Sequence, residues 1–135
     1  MHTQQQLLDT LHIEATGVPI YVQLREQVLA AMGAGLLKPG DQMPTMRQVA
    51  VALRIDLNTV RHAYDDLEKL GAVTLVRGRG SFVAEPPEPA HRSVQAETAD
   101  RIARQTLAKA RAAGVTLELL MERIAALAAE RETSR

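Results

Sequence analysis

Residues 45–71 read TMRQVAVALRIDLNTVRHAYDDLEKLG and contain two helical patterns that are separated by only a few residues. Thr45 followed three residues later by Gln48 is typical of a capping box, in which each side chain satisfies a free backbone amide at the start of a helix. The apolar face of this first helix is formed by Val49, Ala50 and Leu53. The pattern predicts a short helix that ends near Arg54.

The second helix follows almost at once, with Asp56 as its expected N-cap and Gly71 as its end. Its apolar residues recur at helical spacing at Val60, Ala63, Leu67 and Leu70. Two helices joined by so short a turn cannot lie antiparallel, so they must cross steeply. The sequence therefore predicts a helix-turn-helix.

Patterns on both sides of this motif extend the domain. Pro19 suits the first turn of a preceding helix, which ends at Gly33 and Gly35. Its apolar residues are four apart, at Ile20, Leu24, Val28 and Met32. After Gly71 the apolar period changes to two, and a glycine-containing turn at 77–80 separates two short strands, which indicates a β-hairpin.

Residues 85–93 include the stiff, polar segment EPPEP, which marks a domain boundary. Beyond it we expect two helices, from Val94 to Ala113 and from an N-cap at Thr116 onward. A pair of helices this short cannot enclose its own apolar faces, so it is expected to pack against a second copy. The residues expected at that interface are Ile102, Leu117, Leu120, Met121, Ile124 and Leu127.

These patterns predict a mainly α protein with a small β-hairpin. The expected organisation is an N-terminal arm (1–16), a winged helix-turn-helix domain (17–84), a linker (85–93) and a helical dimerisation tail (94–135). The composition is consistent with a mainly α protein, because aromatic residues make up only 2% of the 135 residues and an aliphatic core favours helices.

Composition also restricts the classes of function. The chain has no cysteine, which rules out disulfides and Cys-ligated metal. Its start is polar and it has no long apolar run, so a cytoplasmic protein without contact to a membrane is expected. The net charge is zero, but residues 36–83 carry seven Lys or Arg against five acids. The middle of the chain is therefore mildly basic.

The predicted second helix begins with polar and basic side chains that suit a DNA groove. An α-helix whose start enters the major groove presents its first side chains to base edges and its amides to phosphate. Here those residues are Asn58, Thr59, Arg61 and His62. The hairpin turn, formed by Arg77, Gly78, Arg79 and Gly80, is expected to approach the minor groove or flanking phosphates. Arg47, in the first turn of the preceding helix, is expected near the same backbone.

Each of these side chains has an alternative interpretation. Arg61 and His62 would also suit a solvated helix face, and Arg79 would suit an ordinary exposed turn. A winged-helix adaptor that binds protein instead of DNA has the same fold. Against it stands the placement of Arg47, Arg61, Arg77 and Arg79 on elements that are expected to share one side.

Residues 19–83 resemble the GntR-type bacterial transcription regulators. The resemblance rests on five motifs: Pro19-Ile20-Tyr21 with Gln23, Leu37-Lys38-Pro39-Gly40-Asp41, Met43-Pro44-Thr45 with Arg47, Asn58-Thr59-Val60 with Ala63, Tyr64 and Leu67, and Arg77-Gly78-Arg79-Gly80-Ser81-Phe82-Val83. A tail of only about 50 residues, predicted as two helices, is similar to the YtrA subgroup.

The resemblance implies a tail that dimerises and repression of target genes, commonly those of a transporter operon. It implies DNA contacts at Arg47, Asn58, Thr59, Arg61, Arg77 and Gly78, with Gly80 shaping the wing. Leu57 departs from the family, because many members carry a basic residue there that reads a base. It would either touch a thymine methyl group or pack on the turn, so the operator need not match that of the wider family.

The expected function is sequence-specific regulation of transcription by a homodimer on a palindromic operator. An enzyme is not expected, since the four histidines lie apart, at His2, His12, His62 and His91, and the cluster at Asp65, Asp66 and Glu68 suits an exposed helix face. We expect no cofactor and no metal site. A two-helix tail offers no cavity for an effector within one subunit, which leaves only a cleft between subunits.

Overall fold

The computed structural model describes residues 2–86 and 92–133. Its elements are α1 (His2–Thr10), α2 (Ile20–Gly33), α3 (Met46–Leu53), α4 (Leu57–Lys69), β1 (Val73–Val76), β2 (Gly80–Val83), α5 (Arg92–Ala113) and α6 (Leu117–Thr133). The chain divides into two compact units, Met1–Glu85 and Pro86–Arg135. Of the segment expected to be a linker, residues 87–91 lie outside the described part of the chain.

The predicted helix-turn-helix is formed by α3 and α4. The capping box at the start of α3 is complete: the Gln48 N–H donates to Thr45 Oγ1 at 3.0 Å, and the Thr45 N–H donates to Gln48 Oε1 at 2.8 Å. Helix α3 ends at Arg54, whose φ of 56° lies in the left-handed region. At the start of α4, Asp56 Oδ1 accepts from the Asn58 N–H at 2.7 Å, as expected of an N-cap.

The core of the first unit lies where α2, α3 and α4 meet. Its buried residues in these helices include Leu24, Val28, Val49, Val60, Ala63, Tyr64 and Leu67. Two residues of the predicted apolar stripes are not buried. Leu70 is 62% exposed because α4 ends one residue earlier, and Ile20 is 37% exposed at the first turn of α2. The buried face of α4 includes Tyr64, which was not part of the predicted stripe, and does not include Leu70.

The segment expected to be an arm contains helix α1, which belongs to the same compact unit as the winged helix-turn-helix. Leu7 in α1 and Leu11, just after the end of this helix, are both buried in the core. The connection to α2 is held by Gln27, whose side chain accepts from the His12 N–H at 3.0 Å and donates to the His12 carbonyl at 2.7 Å. Residues before Pro19 are therefore a packed part of the unit.

The predicted hairpin is confirmed as an antiparallel pair in which Val73 faces Val83 and Val76 faces Gly80. Val73 and Val83 are buried at the base of the hairpin. The other three residues of β1 are exposed, because the hairpin extends away from the core. The fold is therefore a winged helix-turn-helix.

The second unit consists of α5 and α6, as the sequence predicted. Gly114, with φ of 74°, lies between them. Thr116 Oγ1 accepts from the Leu119 N–H at 3.2 Å at the start of α6. No described residue of this unit is buried. None of the described helices is long and apolar enough to cross a membrane.

Candidate nucleic-acid interface

The first turns of α4 bring two of the predicted DNA-reading side chains together. Arg61 Nη1 donates to Asn58 Oδ1 at 2.6 Å, and both residues are exposed. They lie three residues apart, so they share the helix face opposite to the buried Val60, Ala63 and Leu67. This bond holds the guanidinium in a defined place and leaves most of its donors free. The pair suits recognition of acceptors, such as the O6 and N7 of guanine or a phosphate oxygen.

Thr59 and Leu57 also lie in the first turn of α4, and both are half-buried. Within the described part of the chain, Leu57 is not one of the partly buried hydrophobic residues that pack on the core. Its side chain therefore has apolar surface available for another contact.

His62 takes part in contacts between α4 and α2. Its ring stacks on Tyr21 with centroids 3.7 Å apart and planes 11° from parallel. Its Nε2 lies 3.8 Å from Asp66 Oδ1, and the side chain remains 51% exposed. The structure thus gives His62 an intramolecular partner, and only its outer edge is open to a ligand.

Asp66 is not the solvated residue that the acidic cluster suggested. Its side chain is 20% exposed, and its Oδ2 accepts from Arg25 Nη1 at 2.8 Å. This partly buried ion pair ties α4 to α2 beside the stacked rings of Tyr21 and His62. Sequence reasoning missed the pair because its members are 41 residues apart.

The remaining predicted arginines have no carboxylate partner in the described part of the chain. Arg47, Arg77 and Arg79 are exposed, and none of them forms an ion pair with a carboxylate of residues 2–86 or 92–133. Arg25 shows the contrast, because it is paired with Asp66. Unpaired exposed arginines on α3 and on the wing suit a partner with negative charge, such as the DNA backbone.

The wing turn depends on its two glycines. Gly78 has φ of 82° and Gly80 has φ of 119°, which are conformations that favour glycine. The Arg79 N–H donates to the Val76 carbonyl at 2.9 Å and closes the turn. A Cβ at Gly80 would lie 3.2 Å from Nε2 of Gln42, a residue that the sequence did not single out.

Among the described residues, no group of three or more His, Asp or Glu side chains is arranged to hold a metal ion. His91 lies outside the described part of the chain, as does the side chain of His2.

Comparison with known proteins identifies the family. Residues 20–83 match the family described as "Bacterial regulatory proteins, gntR family". The HTH-type transcriptional repressor YtrA of Bacillus subtilis is 32% identical over 85% of this chain and 88% of its own length. The HTH-type transcriptional regulator YhcF of the same organism is 32% identical over 78% of this chain and 87% of its own.

Comparison with solved structures agrees with this family assignment. A GntR-family transcription factor, YtrA from Sulfolobus acidocaldarius, superposes with a TM-score of 0.53 at 29% identity, over 70% of this chain and 92% of its own. A transcriptional antiterminator from Listeria monocytogenes superposes with a TM-score of 0.61 at 25% identity, over 84% of this chain and 85% of its own. From its motifs, its fold and these relatives, the chain belongs to the GntR family of bacterial regulatory proteins as a YtrA-like, DNA-binding transcriptional regulator.

Proposed function

We propose that the chain is a repressor that binds a roughly palindromic operator as a homodimer formed by its tail. The observation that carries the dimer is the exposure of large apolar side chains along α5 and α6. On α6, Leu117 is 50% exposed, Met121 61% and Ile124 51%. Apolar surface of this extent is costly in water, at about 25 cal/mol for each Å².

The exposed residues of α6 form one stripe. Leu117, Leu120, Met121, Ile124 and Leu127 recur at intervals of three and four, which places them on one helix face. Leu120 is half-buried and the others are exposed. On α5, Ile102 is 54% exposed. A second copy of the chain would cover this stripe with an identical one, as two-fold interfaces do.

In the proposed complex, the start of α4 lies in the major groove of DNA. Asn58 and Arg61 contact base edges, and Thr59 contacts a base or a phosphate. His62 contributes its exposed edge. Leu57 has apolar surface free for a thymine methyl group, which would distinguish this operator from those read by a basic residue at the same position.

The wing and α3 hold the DNA backbone on either side of α4. Arg47 approaches phosphate from the first turn of α3. Arg77 and Arg79 extend from the wing, where Gly78 and Gly80 allow a close approach to the minor groove or flanking phosphates. These contacts place the domain on the duplex, and α4 supplies the sequence preference.

A two-fold dimer presents two copies of α4 in opposite directions, so the operator is expected to be an inverted repeat. Repression is proposed because the relative YtrA of Bacillus subtilis, which aligns with 85% of this chain, is named a repressor. A dimer seated on a promoter would act by blocking RNA polymerase.

The test is selection of bound fragments from the source genome, combined with sedimentation of the free protein and of two tail variants. An inverted repeat in the fragments and a sedimenting dimer are expected. Ile124→Asp should yield monomers that bind the selected fragment poorly, because a charge in the shared stripe opposes burial. Glu122→Lys, which reverses the charge of an exposed residue on the opposite side of α6, is the control. A direct repeat, or a dimer that survives Ile124→Asp, would contradict the proposal.

A further inference from the structure

Gln42 lies beside the wing, although it comes 35 or more residues earlier than the wing arginines in the sequence. Its backbone forms an antiparallel bridge with Phe82 of β2. Its side-chain Nε2 donates to the carbonyl oxygen of Arg79 at 3.1 Å. Gln42 therefore contacts both the second strand of the wing and the turn at its tip.

The same amide group occupies the space next to Gly80. A Cβ built at Gly80 would lie 3.2 Å from Nε2 of Gln42, closer than ordinary van der Waals contact. The absence of a side chain at Gly80 thus allows the amide to reach the Arg79 carbonyl. Two observations, a hydrogen bond and a close approach, place the same atom against the wing turn.

Helix α1 contacts the other end of Gln42. Gln4 Nε2 donates to the backbone carbonyl of Gln42 at 3.3 Å. Helix α1 is anchored in turn by the buried Leu7. A line of contacts therefore runs from α1 through Gln42 to the wing turn. Helix α1 lies before residues 20–83, the segment that matches the family.

We propose that Gln42 is a positioning residue for DNA binding, which holds the wing turn so that Arg77 and Arg79 point to the duplex, and that Gln4 steadies it. This inference rests on the proposed contacts between the wing and DNA. The physical reason is the small size of the wing: its two strands have only four residues each, and three of the four residues of β1 are exposed, which is too little structure to hold a turn rigidly. A side-chain hydrogen bond from a neighbouring segment restricts that turn before DNA arrives.

The test is Gln42→Met in the full chain, which keeps the length of the side chain and removes its donor. We expect the affinity for the operator to fall about fivefold, the amount that the loss of one ordinary hydrogen bond gives. Gln4→Met should act in the same direction with a smaller effect. Gln5→Met is the matched control, because Gln5 is exposed on α1 and its side chain bonds to Asp9. Thermal unfolding of each variant checks that the fold is kept.

A double-mutant cycle separates positioning from other roles. In an Arg77→Ala/Arg79→Ala background, Gln42→Met should change the affinity less than about twofold, because its effect passes through the two arginines. An equal loss in both backgrounds would overturn the inference, since Gln42 would then act on DNA directly or through the rest of the domain. An unchanged affinity of Gln42→Met alone would also overturn it.

The same cycle distinguishes this inference from the proposed function. If the arginine variant binds the operator as well as the unchanged protein does, the wing contacts of the proposed function fail. If the arginine variant binds poorly while Gln42→Met binds normally, those contacts stand and only the role of Gln42 fails.

Discussion

The hydroxyl of Tyr64 donates a hydrogen bond to the carbonyl oxygen of Pro44 over 2.6 Å, inside the core. Tyr64 is in the middle of α4, and Pro44 directly precedes the capped start of α3. The bond therefore joins the helix that carries Asn58 and Arg61 to the beginning of the helix before it. It is one of the contacts that set how the two helices of the motif cross.

Tyr64→Phe should destabilise the domain by about 1–2 kcal/mol, because the buried carbonyl of Pro44 loses its partner. Thermal or urea unfolding measures the change. Tyr21→Phe is the matched control, since the hydroxyl of Tyr21 donates to no other residue in the described part of the chain. Equal stability of the Tyr64→Phe and unchanged proteins would show that the bond contributes nothing.

Alkaline pH should destabilise the protein through Tyr64. Burial raises the pKa of Tyr64 above its ordinary value of 10.0. At a pH above 10 the unfolded chain therefore loses this proton while the folded chain keeps it, and the free energy of unfolding falls as the pH rises. Urea unfolding at a series of pH values from 8 to 11 measures this. In Tyr64→Phe the decline should be shallower, and identical slopes in both proteins would exclude Tyr64 as the cause.

Arg61→Ala should weaken operator binding by about 1–3 kcal/mol and relax sequence preference at one position in each half-site. The side chain is exposed, and among the described residues it bonds to Asn58 alone, so stability should change little. Fluorescence anisotropy with the operator and with altered operators gives both quantities. Arg101→Ala, an exposed position on α5, is the control. Unaltered affinity and preference would remove Arg61 from the interface.

Arg54→Gly should stabilise the domain by roughly 0.5–1 kcal/mol, because glycine adopts a left-handed conformation without the steric cost that a side chain brings. Arg54 ends α3 with φ of 56° and is the one described residue other than glycine with a positive φ. The same replacement at Arg61, inside α4, should instead destabilise by about 1 kcal/mol. Thermal unfolding of the two variants checks both signs.

Residues 1–85 alone should fold as a monomer and bind the operator roughly 100-fold more weakly than the full chain, because two linked half-site contacts act together only in the dimer. This segment forms a compact unit with its own buried core. Sedimentation and anisotropy test the two parts of the prediction. A fragment that remains dimeric would place the dimer interface outside the tail.

Much of the fold follows from local patterns in the sequence. Thr45 and Gln48 are three residues apart and cap their own helix, Asp56 caps the next, and the wing turn requires glycine where Gly78 and Gly80 stand. Interactions of this kind involve neighbouring residues, so the residue types at a fixed spacing are sufficient to predict them. Because Asp56 marks the start of α4, the side chains in the first turns of that helix could also be singled out from the sequence.

Contacts between residues far apart in the sequence leave no comparable pattern of residue types and spacing. Polar residues 41 positions apart, Arg25 and Asp66, pair only because α2 packs on α4. Gln42 reaches the carbonyl of Arg79 only because the segment before α3 runs beside the wing. The amino-acid order alone determined where α3, α4 and α6 begin, where the turns fall and which side chains stand at the start of α4. It did not predict α1, whose Leu7 is buried only through packing on the rest of the unit. Packing of the helices decided which of the side chains at the start of α4 gain a partner from a distant segment, as His62 does with Tyr21, since that depends on distances between elements that no local spacing encodes.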